Sequence, residues 1–331
     1  MRRREFLTAT GLGGAATLLG AHPTRAGAEP PPETTTIRLT NPPTMCYAPQ
    51  YVAEELLRTE GFTNVQYSKL QAGDWYEFIR SAEVSLTMDL AALSLTAMDD
   101  GHPLVILAGV HVGCYQLFGT NGVRTVHDLK GRTVAVPGLR SGPHVILSII
   151  AANIGLDPRK DIKWEVHPGE ESMALLAAGK VDAFLGFPPE PQELRAKKVG
   201  QLVLNTATDK PWSQYFCCVI VGRREFVRNH PIATKRALRA ILKATDVCAR
   251  EPERAAQLLV DKGYVSRYDY ALQGLQDVNY TKWREYNPED TVRFQALRLH
   301  ELGMIKTSPQ KLLAQGTDWR LLTELKRELK G

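Results

Sequence analysis

The stretch Gly138-Leu139-Arg140-Ser141-Gly142-Pro143-His144 holds the residue types best suited to chemistry. Glycine lets a backbone approach a ligand closely, Ser141 suits a helix N-cap, and Pro143 suits a first helical turn. Free N–H groups and the positive end of the following helix would hold a carboxylate or sulfonate. Arg140 is expected to add a two-pronged clamp, and His144 closes the loop. Thr44 and Tyr47 follow the first expected strand and offer hydroxyls and an aromatic wall. Trp75 opens a helix from which it would cover a ligand. Asp89 ends a strand and opens a helix, as a cap or a ligand contact. Phe187 and Tyr215 suit wall or hinge positions. Together these residues form a ligand-binding set: Thr44, Tyr47, Trp75, Asp89, Arg140, Ser141, Gly142, His144, Phe187 and Tyr215.

Catalytic patterns are missing from the sequence. No G-x-S-x-G, HExxH or Walker motif occurs, and the eight histidines follow no partner pattern. His111, His144 and His167 are the groups a decarboxylase would draw on. The five cysteines, Cys46, Cys114, Cys217, Cys218 and Cys248, match no zinc or haem spacing. An odd number cannot all pair within one chain; one disulfide would suit an oxidising compartment, and buried free thiols are the favoured reading. Neither a cofactor nor a metal is expected.

Alternating strand and helix signals position these groups, the signature of an α/β fold with mostly parallel sheets. Strands are expected over 35–41, 65–70, 84–88 and 103–110. The helices between them cover 49–58, 75–81 and 90–100. After the turn-rich Gly119-Thr120-Asn121-Gly122, strands are expected at 133–136, 161–166, 181–187 and 201–205. Helices at 143–154, 171–178 and from Pro188 to near Gly200 alternate with them. The strand from Tyr215 leads into a helical tail over 225–329. A run of helices cannot extend the second sheet pattern, so the chain is expected to cross back and pack its tail on the first half. The expected arrangement is a first lobe of 35–118 plus 216–331 and a second of 119–215, with a ligand cleft between them.

The first 28 residues, MRRREFLTATGLGGAATLLGAHPTRAGA, combine three arginines, a short apolar stretch and Ala26-Gly27-Ala28. They read as an export signal of twin-arginine type cleaved near Ala28, which places the mature chain in the periplasm. Without them the net charge falls from +5 to +2, too near neutrality to argue for nucleic acid or an anionic membrane. Hydrophobic residues at 44% and charged residues at 23% exclude a disordered or fibrous chain. A monomer is expected.

Four stretches carry a resemblance. They are Ala48-Pro49-Gln50-Tyr51-Val52-Ala53-Glu54, Asp128 to Val136 (DLKGRTVAV), Ala178 to Phe184 (AGKVDAF), and Arg224 to Val227 with His230-Pro231. In this order the chain resembles the SsuA-like solute-binding proteins for nitrate, sulfonate, taurine and thiamine-pyrimidine precursors. The resemblance implies a two-lobed type II periplasmic-binding-protein fold, each lobe a mixed sheet flanked by helices. It implies the solute-binding component of an ABC importer, taking a small organic, anionic solute to a membrane permease and its ATPase. Two rivals share the fold: an enzyme akin to thiamine-pyrimidine synthases or a decarboxylase, and a sensor presenting its ligand to a receptor. The synthases carry a CCCFC motif, where this chain has only Phe216-Cys217-Cys218.

Overall fold

Leu104–Val112 (LVILAGVHV) is nine residues without a formal charge and forms a strand, β4, buried along its whole length. Such an unbroken apolar run is stable only with layers on both faces. The computed structural model describes residues 29–42, 44–69 and 84–330, the side chain of residue 69 apart. The expected leader over 1–28 and the expected helix over 75–81, with Trp75, lie outside the described residues.

The other strands are β1 (Thr36–Asn41), β2 (Asn64–Lys69), β3 (Leu86–Leu90), β5 (Gln116–Gly119), β6 (Thr133–Val136), β7 (Lys163–Val166), β8 (Ala183–Gly186), β9 (Gln201–Asn205) and β10 (Phe216–Arg223). They form a parallel pair β1-β2, a three-stranded sheet ordered β3-β10-β4, and a five-stranded sheet ordered β7-β6-β8-β5-β9. β1 is tied to the approach to β3 where Ser85 N donates to Arg38 O at 2.9 Å. Gln50, fully buried, completes that seam. Its Nε2 donates to Thr40 O at 2.7 Å and its Oε1 accepts from Met88 N at 2.7 Å, the two bonds a strand ladder would have made.

The sheets are mixed rather than mostly parallel. β10 runs antiparallel to both β3 and β4, and β5 antiparallel to both β8 and β9. These two strands follow the passages between the sheets. The expected helix over 49–58 is two helices, Ala48–Val52 and Glu54–Thr59, with a break at Ala53. Beyond β10 the chain is helical, with the 20-residue helix Pro231–Arg250 at its centre. That helix packs on Ala48–Val52, and the later helix Pro288–Glu301 packs on helix Ala91–Asp99. Trp283 is fully buried beneath this layer, its Nε1 donating to Asp246 at 3.0 Å. Among the described residues, no helix is long and apolar enough to cross a membrane.

Two passages join the sheets, residues 113–115 and 206–215, and they touch. Thr206 Oγ1 accepts from Cys114 N at 3.2 Å and from Tyr115 N at 3.0 Å. Gly113 stands in the left-handed region (φ 63°), and a Cβ there would overlap the Cα and N of Ala207.

Candidate functional site

Strand ends converge on one cavity of about 170 Å³. Thr44 and Tyr47 come from the loop after β1, Asp89 from the end of β3, Ser141 and Gly142 from the loop after β6, and Phe187 and Glu190 from the loop after β8. Cys114 and Tyr115 enter from the first passage, and Cys217 and Cys218 from the start of β10. Carboxyl ends of strands are where α/β sheets leave backbone and helix starts free to meet a ligand.

Ser141 is the N-cap of helix Gly142–Asn153, yet its hydroxyl makes no capping bond. Among the described residues its buried Oγ has no hydrogen-bond partner, and it lies beside the N–H groups of the helix start. Gly142 lets the opposite wall come close, because a Cβ there would lie 2.5 Å from Tyr115 Oη and 3.3 Å from Leu90 Cδ2.

Two carboxyls face this space. Asp89, 2% exposed, accepts from Ser94 Oγ at 2.5 Å and from Tyr47 Oη at 3.4 Å. Burial pushes its pKa up to about 7 against those stabilising bonds. The cap position of the following helix is Leu90, so Asp89 is not its N-cap. Glu190 accepts from Phe187 N at 3.1 Å, and desolvation pushes its pKa up to about 8. A side chain at Gly169 would overlap its Oε1. Among the described residues, no lysine or arginine lines the cavity.

Of the residues singled out in the sequence, Thr44, Tyr47, Asp89, Ser141, Gly142 and Phe187 line this cavity. Three others stand elsewhere. Arg140 has left-handed backbone (φ 70°), which carries its guanidinium to Asp100 at 3.1 Å. His144 accepts from Arg140 N at 3.1 Å and packs its ring on Trp164, and burial lowers its pKa to about 4. Tyr215 stacks on Phe294, ring centroids 4.3 Å apart, in an adjoining hollow. Trp75 lies outside the described residues. Sequence reasoning missed Tyr115 and Glu190, and it passed over the thiols. Glu190 looked like one more charge on a polar helix, and only the fold turns it inward.

The arrangement can hold a small polar guest through hydroxyls, helix N–H groups and two titrating carboxyls. The bicarbonate-binding protein CmpA of a Synechococcus strain is 27% identical over 109 residues, which is 33% of this chain and 24% of that protein. The match thus spans about a quarter of the length of the curated relative. The periplasmic nitrate-binding protein NrtA from Synechocystis PCC 6803 superposes with a TM-score of 0.75 at 19% identity, over 91% of this chain and 90% of that one. The alkanesulfonate-binding protein SsuA from Xanthomonas axonopodis pv. citri, bound to MOPS, gives 0.68 at 18% identity, over 87% and 99%. At such identities the likeness establishes the fold, that of the periplasmic binding proteins. The sequence profile of the NMT1-like family matches residues 30–260. With more than two thirds of its length inside that match, the chain belongs to the NMT1-like family.

Proposed function

We propose that this protein is the solute-binding component of an ABC importer, exported to the periplasm behind its first 28 residues. In this reading the lobes, 35–118 plus 216–331 and 119–215, close over a small organic anion and present it to a membrane permease. The observation that carries it is the unpartnered, buried Ser141 hydroxyl at the start of helix Gly142–Asn153, in a cavity at the strand ends. Helix N–H groups and a hydroxyl are anion donors. Asp89 and Glu190 add O–H donors while protonated, which their raised pKa values allow up to about 7 and 8.

The sign of a pH profile tests the charge of the solute. As pH rises through 7 and 8 each carboxyl loses its proton, and with it both a donor and its neutrality. Affinity for an anion is then expected to fall by up to about tenfold per pH unit for each group. Calorimetry with small carboxylates and sulfonates between pH 6 and 9 reads this directly, and affinity that climbs with pH would move the solute to the cations. Ser141→Ala is expected to weaken the same ligand by about 1–3 kcal/mol with an unchanged melting temperature. Equal affinity in wild type and variant would take the loop out of the site.

A further inference from the structure

Below the hydroxyl and carboxyl groups, the floor of the cavity is sulfur. Cys46, Cys114, Cys217 and Cys218 all line it, and all are free and buried. Cys217 and Cys218 are successive residues of one strand, whose side chains would ordinarily leave on opposite faces. Here the register of β10 against β4 shifts on both sides of Cys218, a bulge that turns both side chains to the cavity. Bulges recur where a strand must re-aim a side chain.

His111, fully buried on β4, completes the group. One ligand atom each from His111, Cys217 and Cys218 lie within 4.8 Å of one another. Around a zinc or copper(I) ion such atoms stand about 3.5–4 Å apart, given bonds of about 2.3 Å to sulfur and 2.0 Å to nitrogen. The cluster therefore needs a contraction of at most about 1.3 Å. Both imidazole nitrogens face backbone carbonyls: Nδ1 is 3.3 Å from Gly113 O and Nε2 is 3.0 Å from Cys46 O. A neutral imidazole has one N–H. One nitrogen then points a lone pair at an oxygen lone pair, a conflict that a cation removes. The other nitrogen keeps its bond to a carbonyl, as metal-bound histidines do.

We propose that His111, Cys217 and Cys218 bind one thiophilic d10 ion, zinc or copper(I), at the floor of the cleft. The imidazole and two thiolates supply three ligands and leave further coordination open toward the cavity. Cys114 and Cys46 line the same floor outside this triad, and the Cys114 Sγ lies 2.7 Å from Cys217 Sγ. That proximity makes a Cys114–Cys217 disulfide the rival use of these thiols. The inference concerns the floor alone and stands or falls apart from the identity of any organic solute.

The test uses the full chain, reduced and kept free of oxygen, titrated with zinc alone and with copper(I) against a coloured copper(I) chelator. One equivalent of at least one ion is expected to survive gel filtration. Cobalt(II) in the same protein is expected to show sulfur-to-metal charge-transfer absorption. Cys217→Ser, Cys218→Ser and His111→Gln are each expected to lower affinity more than about 100-fold, beyond what loss of an outer partner costs. Cys248→Ser, a thiol outside the cluster, is expected to bind as the wild type does. Cys114→Ser keeps the triad, removes any disulfide to Cys217, and should retain the ion. Thermal unfolding of each variant separates a lost ligand from a lost fold. The proposal is overturned if the reduced wild type holds neither ion. It is equally overturned if Cys114→Ser loses the ion while Cys218→Ser and His111→Gln, folded, keep it.

Discussion

Asp89→Asn is expected to melt higher than the wild type at pH 9 and by less than half of that margin at pH 5. The carboxyl is buried at the end of β3, and burial lifts its pKa from 3.8 to about 7. Between those values the folded chain holds a proton that the unfolded chain has released. Stability therefore falls as pH climbs across this window, and the deficit is complete above it. Three units at about 1.4 kcal/mol each set a ceiling of about 4 kcal/mol, and about 2–4 kcal/mol is the expected order. In a chain of this size that is about 4–8 °C. The amide keeps the shape of the carboxyl, and Ser94 Oγ would still have a carbonyl oxygen to donate to. Calorimetric scans at the two pH values decide it. Equal melting temperatures at pH 9 would mean that the carboxylate is already well solvated in the folded protein.

The second large effect belongs to Gly113→Ala, which is expected to destabilise the fold by about 3 kcal/mol or more, enough to deplete soluble protein. Two costs combine there. The backbone is left-handed, which alone costs an ordinary side chain about 1 kcal/mol. The new methyl would also occupy space held by the Ala207 backbone, in a passage already closed by Thr206 bonds to residues 114 and 115. Gly131→Ala separates the two costs, since Gly131 is also left-handed (φ 75°) but has open space around its Cα. Urea unfolding of both variants should show a loss several times larger at 113 than at 131. Similar losses would mean that the passage yields to the methyl.

Local pattern was readable where local forces decide the outcome. β1, β4, β6 and the helix after Ser141 stand within a few residues of their expected places, because short apolar runs, a proline in the first turn and an N-cap residue act at short range. The helical tail was legible for the same reason. The strand pairings were not. A single sequence carries no sign that β10 would part β3 from β4, so the sheets looked more parallel than they are. Ser141, Gly142 and Asp89 were singled out because strand ends are predictable places, and they line the cavity. The direction of Arg140 depends on one backbone angle that the sequence does not print. The sulfur cluster escaped because its members sit on separate segments of chain, at 46, 111, 114 and 217–218, and no spacing rule spans such gaps. The adjacent pair Cys217-Cys218 within an apolar strand was the one local hint.

The position of β10 also constrains the order in which the protein can assemble. Among the described residues β3 and β4 share no ladder, and each is paired through a strand ending at residue 223. All five strands of the other sheet lie between residues 116 and 205. On the ribosome, that later-made sheet has every partner it needs before the earlier-made strands have theirs. The amino-terminal portion of the nascent chain must wait, apolar and incomplete, until well over half of the protein has been translated. Those early segments are where a chaperone would find its longest-lived foothold.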